Sequence, residues 1–553
     1  DTHQLGSIPW RRSVICFLPL SSTAQCQHRR SKVWHDAERQ LLIYDSPNAD
    51  KIASAVPGAV RLTNGYVAAP VTLFNLQMLR YLGERVIHPM TEANYDWPRD
   101  RRTIPLPFNA QVVTANFLAV HPRAFVLSDM GTGKTLAALW AADYVFREYE
   151  LASKQRIRGL IVAPLSTLQR VWADGIFQNL LGRRTAVVLH GNADKRRKLL
   201  SLDYDFYIVN YDGIEVLHDD LLARSDIKLA IVDEASAYRT RTTMRHRIAQ
   251  RILKPRDYLW LMTGTPTPNG PTDAYGMARL VNNAFGESYA NFHARVMTRV
   301  SNFKWVPKTG AHAEAHKLMQ PSIRFAISDC IDLPPCTTQR RDVEMTSHQA
   351  KAYKVMRDQA HMLVKEGRPI TAANEAVVRL KMIQIACGAV YDANREIHLV
   401  DAAPRLKAVK EVIEQCNEKI IIFAPLTSVL NLLNKELKDY SREIISGAVS
   451  LSERNRIFAG FQEAEHPRII IADPGTMSHG LTLVAASTII WYAPTDRTEL
   501  YLQANKRIDR PGQVKTTTIV QLAASPLERE IYRRLEHNEH MQGLTLRLAR
   551  GDF

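Results

Sequence analysis

From about Thr103 onward the chain alternates short apolar runs with longer amphipathic stretches. AFVLSD, GLIVAP, AVVLH, FYIVNY, LAIVDE and LWLMTG have strand length and little polar alternation. Runs of this kind suit strands covered on both faces, which implies a parallel sheet flanked by helices. The texture ends near residue 290, yields to a largely helical and polar segment as far as Ala403, and resumes in KIIIFAP, REIISG, RIIIADP, STIIWY and TTTIVQL. The pattern predicts an α/β protein with two doubly wound parallel-sheet lobes, 99–290 and 404–525, joined by a helical insertion and linker, 291–403. Ahead of them, 36–98 mixes β-type runs and Pro/Gly/Asn turn signals with the helical LFNLQMLRYLG, the signature of a small α+β accessory domain. Residues 526–553 read as a helical tail of alternating charge, and there is no short-period repeat or low-complexity tract.

Length agrees with this division, because 553 residues exceed what one core sustains. A formal charge of +16 and a pI near 9.5 would draw a polyanion, nucleic acid being the commonest, although a solvated basic surface has the same composition. The six cysteines, Cys16, Cys26, Cys330, Cys336, Cys387 and Cys416, form no CxxC pair and suit a reducing interior. No apolar run approaches the roughly 18 residues that cross a bilayer, so no membrane partner is expected. WRRSVICFLPLSSTAQC imitates a secretory signal, but the chain opens on Asp1 and reads as an intracellular enzyme beyond Trp34. Residues 1–35 are therefore set aside as an extension of uncertain origin, and a cytoplasmic location is expected.

The strongest local signal is AFVLSDMGTGKTLAALWAA, an apolar strand running through a Gly-rich turn into a helix. Gly131 and Gly133 let backbone N–H groups approach phosphates, Lys134 can reach the β- and γ-phosphates, and Thr135 offers a hydroxyl to Mg²⁺. The helix adds its positive dipole end. Ser128 stands where the strict pattern has its first glycine. Hydrolysis also needs carboxylates at a second strand end, and LAIVDEAS supplies them: Asp233 to support Mg²⁺ and Glu234 to orient water. Asp-Glu pairs are common on surfaces, but this one ends a buried strand about a hundred residues after the loop, where a parallel sheet gathers its carboxyl ends. Gln111, in PFNAQVVTANFLA, is either a reader of the adenine edge or a surface amide.

Together these segments resemble superfamily 2 helicases, and further motifs follow in order. LIVAPLSTLQRVW is similar to motif Ia, IVNYDGIEVL to Ib, MTGTPTPNGPTDAYGMARLV to III, KIIIFAPLTSVLNLL to IV, ADPGTMSHGLTLVAAS to V and QANKRIDRPGQ to VI. Gln503, Arg507, Arg510, Gly512 and Gln513 resemble the Swi/Snf spelling of motif VI. DCIDLPPCTTQRRDVEMTSHQAKAY resembles that group's linker through Thr346, Gln349 and Tyr353. Two departures stand out: DEAS replaces the usual DEAH or DEGH, and the insertions of large chromatin remodellers have little room, which points to a compact phage or bacterial relative.

The resemblance implies RecA-like lobes that grip one ATP, with Mg²⁺, between them. Asp129, Met130, Gly131, Thr132, Gly133, Lys134, Thr135, Gly480 and Gln503 would line the nucleotide. Arg507 and Arg510 would act as arginine fingers from the opposite lobe. Thr263, Gly264 and Thr265 would couple nucleotide state to nucleic acid. Thr167, Tyr211 and Trp491 lie in or near motifs of the nucleic-acid track, Trp491 being equally suited to core packing. The implied function is an ATP-dependent translocase on double-stranded DNA, a monomeric motor of the bacterial or phage-infected cytosol. A strand-separating helicase on RNA or single strands, and a nucleotide-gated binding module, remain as alternatives. HNEH at His537–His540 lacks a ββα pattern or Cys pairs and is read as part of the tail, not as a metal site.

Overall fold

The computed structural model describes residues 31–98, 106–180, 182–301, 304–365, 372–391, 396–477 and 482–550. The extension read at the start of the chain lies outside the described residues as far as position 30. From Lys32, four short strands form an antiparallel sheet: β1 (Lys32–Asp36), β2 (Leu41–Asp45), β3 (Val60–Arg61) and β4 (Val67–Pro70), in the order β1-β2-β4-β3. Helices Ala49–Ala55 and Leu73–Tyr81 pack on it. So small a unit buries little surface alone. Its buried Leu42, Tyr44, Ile52, Leu76 and Leu79 instead join the core of the first large lobe. Polar contacts fix the seam: Gln77 Nε2 donates to Ala119 O at 2.8 Å, and Tyr95 OH donates to Asp143 at 3.1 Å.

That lobe is built on β5 (Arg123–Val126), β6 (Arg158–Ala163), β7 (Ala186–Val188), β8 (Phe206–Asn210), β9 (Ile227–Val232) and β10 (Tyr258–Met262). Each falls in one of the six apolar runs. The pairings among them are parallel, and their two faces carry separate apolar clusters. A hairpin, β11 (Met297–Ser301) and β12 (Lys304–Pro307), and the helix Ala311–Leu318 lead to β13 (Ser322–Ile323), which pairs with β5. The resulting order is β13-β5-β10-β9-β6-β8-β7.

The second lobe repeats the plan. β14 (Cys336–Asp342) lies at its edge, and a two-stranded ribbon follows, β15 (Ala389–Tyr391) with β16 (Ile397–Leu399). Then come β17 (Lys419–Phe423), β18 (Arg442–Ile445), β19 (Ile469–Ala472), β20 (Ala486–Trp491) and β21 (Thr517–Ala523). The parallel order is β14-β21-β20-β17-β19-β18. The expected two-lobe α/β architecture is what the chain adopts.

The segment 291–403, expected to be helical, does contain the helices Ser347–Lys365 and Ala372–Cys387. It also holds β11 to β16. These strands escape the apolar pattern because they are short, or, like CTTQRRD in β14, polar and exposed along an edge. In the second lobe Arg405 and Glu528 form a fully buried ion pair at 2.6 Å. Glu528 also accepts from Ala524 N, Ser525 N and Ser525 Oγ, so its carboxylate is well supplied with donors. It anchors the start of the helix Pro526–Arg550, whose later turns pack on Ala311–Leu318 of the first lobe.

At the seam, His121 is buried, donates from Nδ1 to Phe117 O at 2.7 Å, and accepts from Arg80 Nε at 3.1 Å. Burial pulls its pKa down to about 3, with Arg80 adding to the effect. Because the folded value is depressed, its stabilising contribution is full above the ordinary pH of about 6.5 and is lost as pH falls towards the folded value, amounting to about 2 kcal/mol by pH 5. Thermal melts at pH 7 and pH 5 should show a smaller acid loss for His121→Gln than for the native chain; equal losses would refute the assignment.

Candidate active site

The sheet order decides which loops meet. β10 lies between β5 and β9, so the turns after these three strands line one edge: Leu127–Gly133, Asp233–Glu234 and Thr263–Thr265. After β5 the chain enters the helix Lys134–Ser153 through Gly131 and Gly133, at φ +88° and +76°, backbone that favours glycine. Lys134 Nζ donates to Ser128 O and Asp129 O, both at 2.9 Å, and Thr132 Oγ1 donates to Asp129 O at 2.9 Å. Gln111 is buried rather than superficial. Its Oε1 accepts from Phe108 N at 2.8 Å and its Nε2 donates to Gly133 O at 3.4 Å, so the amide braces the loop. Met130 and Thr135 are half-buried on the same turn, and Met130 lies under Gly264, where an added Cβ would stand 3.2 Å from Met130 Cγ.

Ser128 has a partner that explains its departure from glycine: its Oγ accepts from Phe325 N at 3.0 Å. Asp129 accepts from Arg324 Nη2 at 3.0 Å and from Ile327 N at 3.2 Å. The interlobe linker is therefore tied to the loop, by residues that sequence reasoning did not single out.

At the end of β9, Asp233 Oδ2 accepts from Trp172 Nε1 at 3.1 Å and Oδ1 accepts from Glu234 N at 3.1 Å. Tyr211 OH donates to Asp233 O at 2.7 Å. Glu234 has φ +45°, strained for a residue with a side chain, and its Oε2 is buried without a hydrogen-bond partner among the described residues. Burial pushes the Glu234 carboxyl up, Asp233 and Glu499 add to this, and Lys134 and Arg507 oppose it. Burial likewise raises Asp233, against Lys134. Asp233 and Thr135 carry hard oxygen donors, and Glu234, next to Asp233, has a buried carboxylate oxygen without a hydrogen-bond partner among the described residues; donors of this chemistry fit Mg²⁺.

Residues of the second lobe close the cleft. Pro511 and Arg510 press on Gly131 so closely that a Cβ there would stand 2.9 Å from Pro511 Cδ and 3.6 Å from Arg510 Cβ. Burial pulls the Arg507 guanidinium down to about 9, with Arg510 adding and Glu234 opposing. Lys134 is also lowered by burial, with Glu234, Asp233 and Asp129 opposing and Arg510 adding. The two arginines thus lie within electrostatic reach of the lysine loop and the acid pair. Gln503 is buried, with Nε2 3.5 Å from Glu499 Oε1.

The remaining expected residues lie inside the fold. Trp491 is fully buried between Phe423 and Tyr501, and its Nε1 donates to Asn505 Oδ1 at 2.8 Å. Of the two readings left open for Trp491, this burial favours core packing: the ring packs the second lobe. Thr167 is buried, its Oγ1 donating to Pro164 O at 2.9 Å. Thr263 and Thr265 are buried behind the loop, with Thr265 N donating to Thr263 Oγ1 at 3.0 Å. Gly480 lies outside the described residues.

Two family models match the chain, the SNF2-related domain over residues 111–387 and the helicase conserved C-terminal domain over 404–512. A DNA annealing helicase and endonuclease, ZRANB3 of Bos taurus, is 25% identical over 81% of the chain. The chain spans only 41% of that relative's length. Protein p41 of Acyrthosiphon pisum secondary endosymbiont phage 1 is 26% identical over 74% of the chain, which covers 90% of it. Among solved structures, the Sulfolobus solfataricus SWI2/SNF2 ATPase core in complex with dsDNA is 20% identical, with a TM-score of 0.38, covering 83% of this chain and 96% of that one.

Trp172 is the donor that orients Asp233. Trp172→Phe keeps most of the packing and removes the N–H, so nucleotide hydrolysis should fall on the order of tenfold, as when a hydrogen bond to a charged group is lost. Steady-state hydrolysis assays and a melting curve check this; a rate within about twofold of the native chain would show that Asp233 holds its orientation unaided.

Proposed function

The chain belongs to the SNF2-related family, and from that premise we propose that it is an ATP-dependent motor that translocates on double-stranded DNA. The observation that carries the reading is the shared cleft: Lys134, Asp233 and Glu234 of one lobe face Arg507 and Arg510 of the other, against Gly131.

In this reading Lys134 leaves its two backbone carbonyls for the β- and γ-phosphates, and Gln111 holds Gly133 while the helix N-terminus faces the anion. Glu234 orients a water for attack on the γ-phosphorus as the bond to ADP breaks. Arg507 and Arg510 stabilise the charge that develops on the phosphoryl oxygens. Thr135 and Asp233 would hold Mg²⁺, which neutralises phosphate charge when bound. Nucleotide bound to both lobes favours closure, and its loss relaxes the cleft, so each cycle can advance the lobes along a strand.

The net charge of +16 suits a track held mainly through phosphates, weakly dependent on sequence and sensitive to salt. Because one chain supplies both sides of the cleft, the motor works as a monomer. Among the described residues no helix is long and apolar enough to cross a membrane. With a phage relative of nearly the same span, we place the protein in the cytosol of a bacterium or an infected host.

ATPase assays with duplex DNA, single strands and RNA should show the largest stimulation by duplex DNA, and triplex displacement should report movement. Stimulation by RNA alone would overturn the substrate. Glu234→Gln should lower turnover on the order of a hundredfold or more while nucleotide binding persists; undiminished turnover would remove Glu234 from the chemistry.

A further inference from the structure

Ser236, the last residue of DEAS, fills a position that the sequence leaves without a role. It lies on the 3₁₀ turn Ala235–Tyr238, directly after the strained Glu234. The turn is reached from the opposite lobe. Glu499, in the first turn of the helix Thr498–Asn505, accepts from Ser236 Oγ at 2.5 Å through Oε1 and from Arg239 Nη1 at 2.9 Å through Oε2. Arg239 Nη1 also donates to Ser236 O at 3.3 Å, so one carboxylate closes a ring over the turn. The Glu499 and Arg239 side chains are 15% and 28% exposed, sheltered enough for the pair to outweigh an ordinary surface ion pair.

These contacts exist only when the second lobe sits against the first. On the near side, Tyr211 OH holds the carbonyl of Asp233, so the backbone that carries Glu234 is pinned from both lobes at once. A serine hydroxyl is too short to reach another element alone; the longer carboxylate supplies the reach. We propose that Glu499 is a positioning residue for hydrolysis, a closure sensor that fixes the Ser236–Arg239 turn, and through it Glu234, when the lobes meet. Its carboxylate meets Ser236 and Arg239 across the cleft and lies 3.5 Å from Gln503 Nε2 on its own helix. The inference rests on the ATPase reading above and adds a device by which lobe closure is reported to the water-orienting carboxylate of Glu234.

The test compares kcat, KM for ATP and melting temperature in the full chain with saturating duplex DNA. Glu499→Ala should lower kcat about tenfold or more, with KM for ATP within about twofold, since the missing contact orients and does not bind. Glu499→Gln keeps an acceptor for Ser236 but weakens the hold on Arg239, and should fall between. Ser236→Ala combined with Glu499→Ala should be no slower than the worse single variant, because both break one linkage. The exchange Arg239→Glu with Glu499→Arg should recover part of the turnover lost in either single reversal. Native kcat in Glu499→Ala, multiplicative losses in the double variant, or a fall in melting temperature that parallels the loss of kcat would each overturn the proposal. If the native chain hydrolyses no ATP, the ATPase reading fails with it; if the native chain is active and Glu499→Ala equals it, only the role of Glu499 fails.

Discussion

Charged groups in a protein interior are tolerated only in company, and here the company comes from two lobes. Lys134, Asp233 and Glu234 arise from one sheet and Arg507 from the other, and each is shifted by burial and countered by at least one of the others. Drawing the lobes apart would return Arg507 and Glu234 to solvent without each other's field. With the lobes together, Oε2 of Glu234 has no hydrogen-bond partner among the described residues. The cleft is thus closed by complementary charge, and the carboxylate at its centre keeps an acceptor oxygen able to take a hydrogen bond from water.

The glycine at 131 is the steric side of the same constraint. It needs the left-handed backbone of the loop, and it also lies where Pro511 packs, so a side chain would both strain the turn and hold the lobes apart. One residue type therefore meets the demand of the phosphate loop and that of the interface.

Much of this was legible in the sequence, and the reasons are local. III runs such as those of β17 and β19 declare buried strands, GTGKT declares a turn whose backbone must approach an anion, and DEAS and QANKRIDRPGQ have fixed internal spacing. What stayed hidden depends on partners far along the chain. Trp172 meets Asp233, Arg324 meets Asp129 and Glu499 meets Ser236 only after folding. Nothing in the periodicity around any of them singles it out. Trp491 stayed open between two readings for the converse reason: a motif-adjacent aromatic looks the same in sequence whether its ring faces solvent or Phe423. The strand β14 was invisible because an edge strand with one open side can be built from Thr, Gln and Arg.

The linker shows how the loop and the swing of the lobes are joined. β13 belongs to the first sheet and β14 to the second, so the covalent connection between sheets is confined to residues 324–335. Its first part is not free to move: Arg324, Phe325 and Ile327 are bonded to Asp129 and Ser128. Its last part, Pro334 and Pro335, has fixed φ angles and delivers the chain straight into β14. Cys330 N and Ile331 N donate to Ile327 O at 3.0 and 3.1 Å, so the part tied to the phosphate loop extends to Ile331 and a pivot between the lobes would fall at Asp332–Leu333. A change at that loop on loss of the γ-phosphate would reach the pivot through Asp129 and Arg324, without passing through the body of either lobe.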